Sequence, residues 1–103
     1  MICVFVTFRF GQDFNHDRAR HLAEVAQKMF VGMPGLRSKM FSIQPDLREA
    51  RNVYVWSDPA AARTFFTPDM CDHIGQVYGV RPVVEYGEVA ALVDNHLPAI
   101  TSA

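Results

Sequence analysis

The segment Asn52–Phe66, NVYVWSDPAAARTFF, runs an alternating strand directly into a capped helix. Period two puts Tyr54 and Trp56 on one face of that strand and Val53 and Val55 on the other. Asp58-Pro59 then opens a helix, with a capping carboxylate followed by proline at the first helical position. Thr67-Pro68-Asp69 repeats the device, so the helical region is expected as two short helices broken at Pro68. Gly79 closes the second of them, and Val83–Val93 reads as a long final strand.

Upstream, Ile2–Phe10 alternates as well. Ile2, Val4, Val6, Phe8 and Phe10 share one face; Cys3, Phe5, Thr7 and Arg9 share the other. After a Gly11-Gln12-Asp13 turn, Asn15 or Asp17 can cap a helix whose apolar positions Leu22, Val25, Ala26, Met29 and Phe30 recur every three or four residues. Met33-Pro34-Gly35 ends it, Leu36–Ile43 forms the second strand, and Ala50–Ser57 the third. The order β-α-β-β-α-β gives an α+β class fold, ferredoxin-like, with an antiparallel sheet and its helices on one face. The domain is expected over residues 1–95, with residues 96–103 as a C-terminal tail. Two helices cover one side of four strands only, yet strands one and three are apolar on both sides. An open face of that kind exceeds the largest patch of about 300–600 Å² usual on monomers. A homodimer with the sheets packed face to face removes the exposure.

Composition narrows the function. The chain has 103 residues, half of them apolar, with a formal net charge of −1. That is one globular domain, and without a basic surplus nucleic-acid binding has no electrostatic support. The opening MICVFVTFRF is short, lacks a basic start and is interrupted by Arg9, so neither a signal peptide nor a membrane span is expected. Cys3 and Cys71 have no framework or metal-like spacing and read as free thiols in a reducing compartment, which makes the expected location cytoplasmic. Phosphate loops, nucleophile elbows and Cys/His metal sets are missing from the sequence, which disfavours dinucleotide binding and hydrolysis.

Met33-Pro34-Gly35-Leu36, the run Asn52–Ala62 and Tyr78-Gly79-Val80 before a last strand ending Val93-Asp94-Asn95 carry a resemblance to a known family. From Ile2 to about Pro98 the chain resembles the dimeric α+β-barrel proteins. Within them it looks like the small bacterial YdhR-type proteins, relatives of the antibiotic-biosynthesis monooxygenases. The resemblance implies a homodimer with a cavity between sheet and helices in each subunit. It also implies a hydrophobic, aromatic small-molecule ligand and oxygenation by O2 with no cofactor and no metal. Relatives on the same fold bind such compounds without catalysis, or bind and degrade haem, and both remain alternatives.

Cofactor-free oxygenation asks for an apolar cavity, a base for an acidic proton, and a cation or donor to hold the anion. His73, Tyr78 and Arg9 are the candidate catalytic residues: His73 or Tyr78 to take or share the proton, Arg9 to steady the anion. Tyr54, Trp56, Asn52 and Phe65 are the candidate substrate-binding residues, with Arg81 expected beside them. The plainer readings compete: Tyr54, Trp56 and Phe65 as core, His73 as a surface histidine, Arg9 as a strand-end charge reaching water. Metal binding is weakly supported, because Cys71 and His73 are two apart on a helix and diverge, and His16 and His21 are five apart.

Overall fold

The computed structural model describes residues 1–95. Its strands are β1 (Ile2–Arg9), β2 (Leu36–Gln44), β3 (Glu49–Trp56) and β4 (Val83–Glu88), and its helices α1 (His16–Phe30), α2 (Pro59–Phe65) and α3 (Pro68–Tyr78). The strands form one antiparallel sheet in the order β2-β3-β1-β4. This is the expected ferredoxin-like α+β arrangement, with the helices on one face. The proposed tail lies outside the described residues.

Local chemistry sets the helix ends. Asn15 Oδ1 accepts from the Arg18 N–H at 2.9 Å, Asp58 Oδ1 from Ala60 at 3.0 Å, and Thr67 Oγ1 from Met70 at 3.2 Å. These bonds satisfy amides that a helix start leaves without partners. Pro59 and Pro68 take first-turn positions, where a missing N–H costs nothing. Gly79, at φ +84°, ends α3 in the left-handed region and donates its N–H to the Gly75 carbonyl at 2.8 Å. The expected break at Pro68 is therefore real.

Gly35 joins the two halves of the chain. Its carbonyl accepts from the Ser57 N–H at 2.9 Å and the Ser57 hydroxyl at 3.2 Å. Its φ is +81°, and a Cβ there would stand 2.7 Å from the Ala61 Cβ, so the turn excludes any side chain.

The register confirms the division of faces. Val4 lies opposite Tyr54, Val6 opposite Asn52 and Phe8 opposite Ala50. All six are buried beneath the helices with Trp56, Ala62 and Phe66. Cys3, Phe5, Thr7 and Arg9 face away, beside Val55, Val53, Arg51 and Glu49. The fourth strand is shorter than the sequence suggests. It ends at Glu88, which pairs with Ile2, the first residue of β1; beyond it Val89 finds only the Met1 carbonyl, at 3.2 Å. A strand cannot continue once its partner has run out.

Candidate functional site

Between the sheet and the helices lies a cavity of about 100 Å³. Its walls are mostly apolar, from Ala26, Met29, Phe65, Met70, Ile74 and Val77. Into it face five polar side chains from three elements: Lys39 of β2, Asn52 and Tyr54 of β3, and His73 and Tyr78 of α3. An apolar pocket with a few convergent polar groups is the usual form of a small-molecule site.

Each group has a physical reason to be there. Asn52 is 4% exposed in mid-strand, a polar side chain held among apolar neighbours. Tyr54, 2% exposed, stacks on Trp56 with centroids 6.1 Å apart and meets Phe66 edge-on at 4.9 Å. Tyr78 stacks on Phe8 at 3.9 Å. Burial pushes both phenols above their ordinary pKa, and the Asn52 side chain, interacting with each, opposes the rise. Both tyrosines are therefore hydrogen-bond donors at neutral pH. That corrects half of the expectation for Tyr78: it can share a proton but is a poor acceptor for one. His73 is exposed and stands on the solvent side of the cavity.

The residue that sequence reading missed is Lys39. Its Nζ lies 3.3 Å from the Phe30 ring centroid, 4.1 Å from that of Phe41 and 4.3 Å from that of Tyr54. Among the described residues no carboxylate forms an ion pair with it. Burial brings its amine from 10.5 down to about 7. A signal was available. Lys39, Phe41 and Ile43 alternate on one face of β2, and register pairs them with Tyr54, Asn52 and Ala50. Alternation thus turns a lysine toward the helices in company with two large apolar side chains.

Of the seven residues chosen from sequence, the cavity brings together Asn52, Tyr54, Phe65, His73 and Tyr78. Trp56 and Arg9 are elsewhere. Trp56, 1% exposed, is packed behind Tyr54 against Phe65 and Phe66, one ring removed from the cavity. Arg9 shares parity with Phe5 and Thr7, so it projects from the uncovered face and pairs with Glu49 at 3.3 Å. Arg81 is also absent from the cavity and pairs with Asp72 on the surface.

A larger cleft of about 390 Å³ lies on the other side of Tyr78, beside Phe10, Asp13 and Arg18. There Asn15 caps α1 and Arg18 donates to the Val77 carbonyl at 3.3 Å. The smaller cavity is the one on which polar groups of β2, β3 and α3 converge. No helix among the described residues is long and apolar enough to cross a membrane.

The chain matches no protein-family model and no curated protein. Solved structures with its fold are found. A monooxygenase from the ActVA-Orf6 gene of Streptomyces coelicolor, in complex with nanaomycin D, is similar at 18% identity and TM-score 0.63, over 91% of this chain and 92% of that one. SnoaB, a cofactor-independent oxygenase from Streptomyces nogalater, is 16% identical with TM-score 0.59, over 92% and 96%. A protein of unknown function from Nitrosomonas europaea is 12% identical with TM-score 0.63, over 90% and 92%. At these identities the likeness establishes the fold, and the chemistry has to come from the site.

Proposed function

We propose that the protein is a cofactor-independent monooxygenase, of YdhR type within this fold, that oxidises an uncharged, ring-hydroxylated aromatic or enolisable compound with O2. The observation that carries this reading is the set of polar groups converging on one apolar cavity. Tyr54 and Phe65 hold the ring, Asn52 and Tyr78 hydrogen-bond its oxygen, and His73, at the mouth, carries a proton between the cavity and solvent after the ring has been oxidised. The substrate anion gives one electron to O2, and the resulting radical and superoxide combine at a ring carbon as a peroxide. Protonation and loss of water then leave a carbonyl, so that one oxygen atom enters the product and the other leaves as water. The neighbours named as oxygenases on this fold support the reading by analogy.

A cavity of about 150 Å³ takes a benzene ring. One of about 100 Å³ with an open mouth admits a ring in part and leaves the rest of a larger ligand toward His73. The same volume is far too small for haem, and that alternative gains nothing from it. The partner is a second copy of the chain, its uncovered sheet face against ours.

Trp56 is the sole tryptophan and stacks on Tyr54, a cavity wall, so its emission reports occupancy. Dihydroxynaphthalenes and anthrones should quench it saturably and be consumed with oxygen uptake, and Asn52→Ala should lower that uptake by about tenfold to a hundredfold. Saturable quenching with no oxygen consumed by any of them would instead favour a binding protein.

A further inference from the structure

We propose that Lys39 is the first acceptor of the substrate's proton and then the counter-cation of the oxyanion left behind. The ligand that fits is an uncharged phenol or enol, not a carboxylate. This rests on the reading of the cavity as the substrate site. It gives Lys39 the anion-steadying task for which the sequence suggested Arg9, whose side chain is on the other side of the sheet.

Geometry carries the argument. The amine faces three aromatic rings, and two of them, Phe30 and Tyr54, are also cavity walls. Two opposed terms act on it. Ring faces attract a cation, and burial repels one. A group held in that balance exchanges readily between amine and ammonium near neutral pH, and a single nearby negative charge favours the ammonium. In the step itself, the Nζ lone pair takes the hydroxyl proton and the O–H electrons remain on the ligand oxygen. The cavity gains an ion pair and no net charge. Asn52 is placed to share that oxygen.

The other titratable and charged groups around Lys39 do not take this role. From α3 the cavity receives His73 and Tyr78, and from β3 Tyr54; the phenols stay protonated. From α1, His16, Arg20 and Glu24 line a groove on the outer side of Lys39, where Glu24 is held by Arg20 at 3.2 Å. From β2 itself, Arg37 lines a neighbouring surface depression.

The test uses 2-naphthol at about pH 8, where the free phenol is neutral and the amine is unprotonated. The wild type should bind it as naphtholate, visible in absorption, with no proton delivered to a pH indicator. K39M should bind it as the neutral phenol, with naphtholate reduced by about tenfold or more. K39R, permanently charged, should hold naphtholate but release about one proton per ligand. Naphtholate in K39M at the wild-type level, a neutral ligand in the wild type, or proton release by the wild type equal to that of K39R overturns the proposal. A second measurement needs no variant. The chain has only two lysines, Lys28 and Lys39, so reductive methylation with labelled formaldehyde gives two side-chain signals to titrate by NMR. Lys39 should titrate near 7, and a midpoint near 10.5 for its signal overturns the proposal. Naphtholate formation without oxygen uptake by any oxidisable analogue sinks the oxygenase and leaves Lys39 standing. Uptake undiminished in K39M does the reverse.

Discussion

The two faces of the sheet are built from the same strands by opposite rules. On the covered face, Val4, Val6, Phe8, Tyr54 and Trp56 are almost fully buried, and the polar side chain among them, Asn52, borders the cavity. On the uncovered face the apolar residues are interrupted by engaged polar ones. Arg9 pairs with Glu49, the Arg51 side chain donates to the Thr7 hydroxyl at 3.3 Å, and the Ser42 hydroxyl donates to the Arg51 carbonyl at 2.7 Å. Phe5, Val53 and Val55 are half-buried between them, and Met40 is 58% exposed. The covered face holds the chain together and shapes a ligand site. The uncovered one carries half-buried apolar groups among polar side chains that pair largely with one another, with Gln44 Oε1 buried and without a hydrogen-bond partner among the described residues.

The largest expected effect sets adjacent residues of β3 against each other. Trp56→Ala should cost about 3–5 kcal/mol by urea denaturation, as loss of a buried aromatic does, whereas Val55→Ala should cost about 1 kcal/mol in a dissociated chain. Equal losses would break the contrast. Next, Val53→Asp places a charge at the centre of the uncovered face. It should shift a sheet-to-sheet dimer to monomer by light scattering at micromolar concentration, a loss of about 3 kcal/mol of association, with the far-ultraviolet spectrum retained. A wild type that is itself monomeric there ends the dimer proposal.

A third prediction probes the covered face by pH. The Lys39 amine falls to about 7 in the fold from its ordinary 10.5, so between those values the unfolded chain binds the proton more strongly. Stability should therefore rise from about pH 7 toward pH 10.5 relative to K39M, and lie flat against it below 7. Above about pH 10 the raised Tyr54 phenol acts the other way, because the unfolded chain then loses a proton that the fold retains. A wild-type-minus-K39M difference that does not change with pH would mean that the rings, not burial, govern the amine. The smallest effect concerns Trp56 again. Its Nε1 is buried and has no hydrogen-bond partner among the described residues. Trp56→Phe should cost only about 1 kcal/mol or less, since removing an unsatisfied donor offsets part of the lost packing.

The sequence made the fold legible because each element announces itself locally. Asn15, Asp58-Pro59 and Thr67-Pro68 cap helices by short-range bonds, and the parity of Tyr54 with Trp56 fixes the sheet face. What failed depended on distant partners. The end of β4 is decided by where β1 begins, and nothing within Val83–Val93 reports that. Trp56 and Tyr54 share parity, yet only packing from α2 decides that one is sealed and the other lines a cavity. Arg9 was already assigned by alternation to the face with Phe5 and Thr7, and its proximity to the cavity end of the sheet misled. Lys39 escaped notice because a single lysine in a strand reads as solvated, and only its register against Tyr54 places it among three rings.

Strand order has a consequence for how the chain acquires this form. β1 lies between β3 and β4, and β2 touches only β3, so neither β-α-β half contains a pair of adjacent strands. Ile2 must wait for Trp56 and Glu88. During synthesis the amino-terminal half can make α1 but no ladder; β2 and β3 can pair across a short connection, but setting β1 between β3 and β4 closes long loops. Folding should be a single slow step relative to helical domains of this size. Neither half made alone should show a cooperative transition, and a chain permuted to join its ends should fold faster than one that starts at β1.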